Sequence, residues 1–208
     1  VLTGGYMNNQ RHLDPVIFVF SKLVQVRGIV RPVLNGHLHL IARLQNGTIV
    51  KEQHKLTGKE IPPIKSAVKR IYLSKHLHKS HRASVRIREK TKTLIGEAEL
   101  ICYPMGSFYS SLIATLLPTG IGRAISDNPC PKVFIPSTCP DPELYDTPLN
   151  DQVDILLHYL KQDDPTTIKT SRLLDFIIID SKNANYDGKL NRQEMRGKGI
   201  KVIDSRLI

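Results

Sequence analysis

Gly106, Ser107, Ser110 and Ser111 stand in one stretch, Glu99 to Leu117. Here an apolar run, Leu100-Ile101-Cys102-Tyr103, breaks at Pro104 and resumes as a helix-like pattern at Phe108. Strand, tight Gly/Ser turn and helix together aim main-chain N–H groups at an anion. The first amides of a helix have no internal acceptor, and the helix dipole adds partial positive charge there. Gly106 permits close backbone approach, and the serine hydroxyls add donors. The stretch predicts a phosphate-binding turn built from Gly106, Ser107, Phe108, Tyr109, Ser110 and Ser111. An ordinary βα turn is the competing reading of the same residues.

A second stretch, Asn183-x-Asn185-x-Asp187-Gly188 with Glu194 at its twelfth position, has the oxygen spacing of a calcium loop. Its first position is Asn rather than Asp, the preceding LLDFIIID reads as a strand, and the exit runs quickly into Gly197 and Gly199. The helix–loop–helix frame is missing. Calcium held by Asn183, Asn185, Asp187 and Glu194 is therefore not expected, and the stretch reads as a polar βα loop with Gly188 in a turn. His37 and His39 share a strand face, and His76, His78 and His81 sit among cations. Neither set has a further ligand at metal-binding spacing, so both read as surface groups. No Ser-His-Asp or paired-carboxylate constellation is legible.

The elements that must position these residues follow in order. Asp14-Pro15 opens a helix running to Val26, with Ile17, Phe20, Leu23 and Val24 at helical spacing and Gly28 closing it. Ile29–Val33 reads as a short strand. The segment 37–44, with Leu38, Leu40, Ala42 and Leu44 on one face, then Asn46-Gly47 and Thr48–Val50, predicts a hairpin. Ile61-Pro62-Pro63 marks a loop and Val68–Leu73 a strand. The basic segment from Ser74 reads as a surface excursion entering a helix over 84–98. Beyond Glu99, helix-type segments at 108–117, 121–126, 150–160 and 190–196 alternate with strands at 132–135, 173–180 and 201–204. Such alternation predicts a parallel sheet with helices on its faces, and ligands bind beyond the carboxyl ends of such strands. Those ends are 104–107, 136–149 and 180–188.

With 208 residues, 40% of them hydrophobic, the chain has the material for a packed core. No apolar stretch approaches the roughly 20 residues of a membrane span, and residues 1–12 lack a signal-peptide pattern. Cys102, Cys130 and Cys139 make neither an even disulfide set nor a C-x-x-C pattern, which points to a reducing, cytoplasmic setting. A net charge of +11 favours an anionic partner. Trp is absent and other aromatics are few, which argues against a stacking platform for nucleic acid. The chain opens on Val1, as a fragment or a processed product would.

Several stretches together resemble one family. DPVIFVFSKLVQVRGIVRPV, LHLIARLQNGTIV, KRIYLS, ELICYPMGSFYSSLIATLLPTGIGRAI and PKVFIPSTCPDPELYDTPLNDQVDILLHYL occur in the order seen in the CofD-like superfamily. That group includes 2-phospho-L-lactate transferases of deazaflavin cofactor synthesis and YvcK-type gluconeogenesis factors, which bind UDP-sugars. The resemblance is closer to the YvcK-type side. The family's G-P-G-S-x-Y-[TS]-S loop matches Tyr103–Ser111 here, with Tyr103 and Met105 in place of two glycines. Its C-N-x-M-T-Q-P-G-E-T loop corresponds to Pro136–Leu144, where Ser137 replaces Asn and Asp141-Pro142-Glu143 replaces Gln-Pro-Gly. Its D-H-V helix start survives as Asp151-Gln152-Val153. The family's Gly-rich first turn has no counterpart, so the resemblance implies that roughly the N-terminal third is absent.

The resemblance implies one α/β domain over 1–208, a Rossmann-like three-layer parallel sheet with a hairpin excursion and only part of the family's domain. Within it, 29–73 holds the hairpin, 74–98 the basic excursion and helix, and 99–208 the alternating half. It further implies a diphosphate held at Gly106–Ser111, a nucleoside or sugar contacted by Ser137 and Thr138, and Mg²⁺ organised by Asp141 or Glu143. The expected function is nucleotide-sugar binding with a regulatory role. The alternatives are a Mg-dependent transferase moving a phospho-lactate-like group to an acceptor hydroxyl, and a basic nucleic-acid-binding domain. A nucleotide or nucleotide-sugar ligand is the expected partner, and the chain can also be expected to form homodimer contacts.

Overall fold

The structure is a computed structural model, and it describes residues 2–34, 36–58, 62–78 and 81–207. The chain opens with helices α1 (Leu2–Asn8) and α2 (Leu13–Leu23), followed by strands β1 (His39–Leu44) and β2 (Ile49–Lys51), helix α3 (Gln53–Leu56) and strand β3 (Val68–Ser74). Helix α4 (Glu89–Gly96) leads into strand β4 (Ile101–Tyr103), a π-helical segment over Phe108–Ile113, and helices α5 (Ala114–Leu116) and α6 (Ile121–Asp127). Strand β5 (Lys132–Phe134), helix α7 (Leu149–Leu160), strand β6 (Phe176–Ile179), helix α8 (Arg192–Gly197) and strand β7 (Lys201–Asp204) complete it.

Two sheets result. The antiparallel sheet runs β2-β1-β3, and the Asn46-Gly47 signal makes its turn, with Gly47 at φ +89° and Thr48 N donating to Asn46 Oδ1 at 3.0 Å. The second sheet, β4-β5-β6-β7, is parallel throughout and flanked by helices. Its interior strand β6 reads Phe-Ile-Ile-Ile, as a strand covered on both faces should, and Ile177 and Ile179 are buried. Tyr159 of α7 ties the two sheets together: its hydroxyl accepts from Ile71 N at 2.9 Å.

The two ends of the parallel sheet differ. At the amino edge, Lys132 is buried and its Nζ donates to the carbonyls of Asn128 (2.5 Å) and Cys130 (2.8 Å), while its amide donates to Asp175. Burial pushes the Lys132 pKa down. That edge is sealed by internal hydrogen bonds. The carboxyl edge opens into loops.

The helix expected from Asp14 to Val26 is α2, which starts at Leu13 and ends at Leu23, with Asp14 in its first turn rather than at the cap, and α1 precedes it where no helix was expected. Ile29–Val33 forms no strand, because no neighbour lies in register with it. The helix expected over 84–98 is confined to α4; ahead of it Arg86 bridges to Thr119 as an extended segment. Ile61, Lys79 and Ser80, in the expected loop and basic excursion, lie outside the described residues. Among the described residues, no helix is long and apolar enough to cross a membrane.

Candidate functional site

Strand β4 ends on Tyr103, whose buried hydroxyl donates to Leu173 O at 2.8 Å and whose pKa is driven far up by burial. The chain then turns through Pro104, Met105 and Gly106. Gly106 sits at φ +149°, and a Cβ there would meet nothing within 4 Å. Glycine is required by the backbone angle, not by space. Ser107 O accepts from both Ser111 N (3.1 Å) and Leu112 N (3.2 Å), the shared i+4/i+5 pattern that widens this segment into a π-turn.

The amides that follow are already held by anions, and the anions belong to the protein. Phe108 N donates to Asp141 Oδ2 at 2.7 Å, and Tyr109 N and Ser110 N both donate to Glu143 Oε2 at 2.8 Å. Asp141 Oδ1 also accepts from Glu143 N at 2.9 Å, so the loop after β5 is folded around its own Asx turn. Glu143 is 0% exposed. Burial pushes its pKa up, while the donors of Ser110 and Tyr109 pull it back. Asp141 and Glu143, the pair expected to organise Mg²⁺, here accept from main-chain amides: Glu143 is enclosed and both Asp141 oxygens are engaged. Ser110, expected to touch phosphate, is buried with Glu143.

The Gly106 and Ser107 amides and the Ser107 hydroxyl make no hydrogen bond within the described residues. Ser111 is exposed one turn further on. At the carboxyl edge of the parallel sheet, joined to this turn through Asp141, lies a cleft of about 300 Å³. It is lined by Ser137, Cys139, Pro140, Asp141 and Leu144 from the loop after β5, by Gln152 from α7, and by Asn185, Tyr186 and Asp187 from the loop after β6. Ser137 Oγ donates to Cys139 O at 3.0 Å. Thr138 is buried behind the wall, its carbonyl accepting from Asn185 N at 3.0 Å, and it does not line the cleft.

Tyr186 is pinned by Asp180 N, which donates to its hydroxyl at 3.0 Å, and burial pushes its pKa up. Asp187 accepts from Leu149 N through its carbonyl and keeps its carboxylate without a partner among the described residues. Gln152, Asn185, Tyr186 and Asp187 were not expected at a nucleotide site. Asn185 and Asp187 stood out only for their calcium-type spacing.

That spacing does not converge. Asn183 donates through Nδ2 to Asp180, Asn185 is held to Thr138, and Glu194 pairs with Lys198 at 2.7 Å. The loop runs from a strand into the six-residue α8, whose cap is Asn191 accepting from Glu194 N at 3.1 Å. Among the described residues, no group of three or more His, Cys, Asp or Glu is placed to hold a metal ion.

A parallel sheet flanked by helices, with a polar cleft beyond its carboxyl ends, defines an open-sheet α/β protein. Within that class the chain belongs to the CofD family, described as 2-phospho-L-lactate transferase CofD, whose model matches residues 5–208. It is similar to a putative gluconeogenesis factor of Thermoanaerobacterium thermosulfurigenes, 29% identical over 205 residues, covering 90% of this chain and 57% of that protein. The gluconeogenesis factor of Bacillus subtilis (strain 168) is 24% identical over 203 residues, with the same shares. Among solved structures, a UPF0052 family protein from Bacillus halodurans superposes with a TM-score of 0.74 at 20% identity, over 98% of this chain and 63% of that one. The chain thus spans 57% of the length of these relatives.

Proposed function

We propose that this chain binds a nucleotide diphosphate of the UDP-sugar type and does so as a regulatory binding protein. The observation that carries the reading is the carboxyl-edge cleft whose wall residue Asp141 also accepts from Phe108 N, at the end of a turn whose Gly106 and Ser107 amides have no partner among the described residues. In this arrangement the diphosphate lies over Gly106 and Ser107, with the Ser107 hydroxyl as a further donor and Ser111 one turn away. Ribose or sugar hydroxyls donate to Asp187 and to the outer face of Asp141, Asn185 and Gln152 supply amide donors and acceptors, and the Tyr186 ring offers a stacking face. Ser137 stands at the same wall.

The transferase reading is supported by the description of the family, yet the residues lining the cleft include no lysine or arginine. Phosphoryl-type transfer depends on charge neutralisation of the moving group. Mg²⁺ fits this cleft only in part, with Asp187 as the available carboxylate and the substrate phosphates completing the set.

Calorimetric titration of UDP-sugars and guanosine nucleotides, with and without Mg²⁺, tests the proposal. Saturable uridine-nucleotide binding without product release is expected. Product formation would establish a transferase, and absence of binding to either series would remove the nucleotide reading.

A further inference from the structure

Asp180 is the first residue after β6 and is 2% exposed, yet it does not line the cleft. A carboxylate taken out of water is costly unless donors surround it. Its donors here come from two parts of the chain. Oδ1 accepts from Asn183 N at 3.1 Å, both oxygens accept from Asn183 Nδ2 at 3.0 Å, and Oδ2 accepts from Leu207 N at 2.9 Å. The main chain of the same residue is used as well. Its N donates to the Tyr186 hydroxyl at 3.0 Å, and its carbonyl accepts from Ala184 N at 3.0 Å. An aspartate bonded to the backbone just ahead of it closes a polar loop, and this loop is folded around Asp180.

What the loop carries is one wall of the cleft, Asn185, Tyr186 and Asp187. Tyr186 packs against the core, whereas Asn185 and Asp187 are exposed, so hydrogen bonds set their placement. Beyond Asp180 the wall is fastened twice more, by Asn185 N to Thr138 O at 3.0 Å and by Leu149 N to Asp187 O at 2.9 Å. Both of those bonds join main chain to main chain. The base below is tied to β7: Ser205 N donates to Ile179 O at 2.9 Å, and Ser181 donates through N and Oγ to Asp204 at 3.0 and 2.7 Å. The Asp180 carboxylate therefore stands between a braced sheet edge and a wall that apolar packing holds only at Tyr186.

We infer that Asp180 is a positioning residue of this cleft: without touching the ligand, its carboxylate holds Asn185, Tyr186 and Asp187 where a sugar or nucleoside meets them. Asp180 has this role only if the cleft takes a nucleotide-sugar, as proposed above. A binding group is effective when a supporting shell fixes it before the ligand arrives. The turn at Gly106 and Ser107 runs into amides held by Asp141 and Glu143 instead, so the role of Asp180 is confined to the wall.

Calorimetric titration of UDP-glucose against wild type, Asp180→Ala, Asp187→Ala and Ser107→Ala, singly and paired, tests this. Asp180→Ala should weaken binding by about tenfold, the worth of one or two wall hydrogen bonds. Its effect should merge with that of Asp187→Ala, the pair losing little more than Asp180→Ala alone, and should add in full to that of Ser107→Ala. A merely structural loss would add equally to both. In hydrogen exchange on the free chain, Asp180→Ala should release the amides of Asn183 and Asn185 and leave those of β6 protected. Asp180→Asn keeps one acceptor oxygen; it should recover part of the affinity, and it carries the same pairings where Asp180→Ala does not fold. No binding of UDP-glucose by wild type would remove the nucleotide-sugar reading and the role of Asp180 with it. Equal binding by the Asp180 variants and wild type, or full additivity with Asp187→Ala, would remove the role of Asp180 and leave that reading standing.

Discussion

The carboxylate of Glu143 stands under the amino end of the helical segment that begins at Phe108, its Oε2 2.8 Å from the main-chain nitrogen of Tyr109. The same oxygen takes Ser110 N, so one fully buried side chain satisfies two donors that would otherwise be orphans. Together with Asp141 on Phe108 N, it locks the loop after β5 onto the turn after β4, and so shapes the cleft between them.

Removing that acceptor should be costly. Glu143→Ala leaves two enclosed amides unpaired and a cavity beside them, for an expected loss of about 2–4 kcal/mol. Glu143→Gln keeps one acceptor oxygen and should lose far less. Urea denaturation of the three proteins orders them wild type, Gln, Ala at acid pH; equal stability of the Ala and Gln variants would show that the amides find other partners.

The same residue sets a pH dependence. Burial raises the Glu143 pKa above its ordinary 4.5, so the folded chain holds this proton more tightly than the unfolded chain does. The stability tied to the proton is complete below 4.5 and is lost as pH rises through the folded value. Glu143→Gln has no proton to lose. Its stability relative to wild type should therefore rise as the solution is taken from below 4.5 toward neutrality, measured by denaturation midpoints across that range. A constant difference would mean that the carboxyl titrates at its ordinary value in the fold.

Gly122 of α6 faces α7 at close range: a Cβ there would lie 1.8 Å from the Leu160 carbonyl oxygen. Gly122→Ala must push the two helices apart, at an expected cost of about 1–3 kcal/mol. Gly96→Ala is the control. It lies in α4 with nothing within 4 Å of the added carbon, and it should be neutral or stabilising by up to about 1 kcal/mol. Thermal melts of the pair separate steric conflict from helix propensity.

Short-range signals placed much of this fold. The Asn46-Gly47 hairpin, the strand at Val68 and the strand–helix alternation after Glu99 each depend on neighbours in sequence, and each is present. What was not legible depends on partners far along the chain. The turn at Gly106–Ser111 announced its donors, but their acceptors Asp141 and Glu143 lie more than thirty residues downstream, and nothing local marks a carboxylate as inward-facing. Likewise Gln152, Asn185 and Tyr186 meet at the cleft only because β5 and β6 end, and α7 begins, side by side. Ile29–Val33 has strand chemistry without a strand, because pairing is a property of two segments.

The cleft itself yields the remaining expectation. The Ser107 hydroxyl and the Asp187 carboxylate have no intramolecular hydrogen bond among the described residues, so neither contributes to the fold through one. Ser107→Ala and Asp187→Ala should therefore leave the melting temperature unchanged while each weakens uridine-nucleotide binding by about 0.5–1.5 kcal/mol, a factor of roughly two to ten. Tyr186→Phe differs, because it also strips the acceptor from Asp180 N and should lower stability together with affinity. Asp187 also separates the two ways a diphosphate can sit near an acidic wall. If Mg²⁺ bridges them, chelation should weaken binding to wild type and leave Asp187→Ala indifferent. If the carboxylate only accepts from sugar hydroxyls, chelation should act on both proteins alike, and free uridine diphosphate should bind Asp187→Ala as well as it binds wild type.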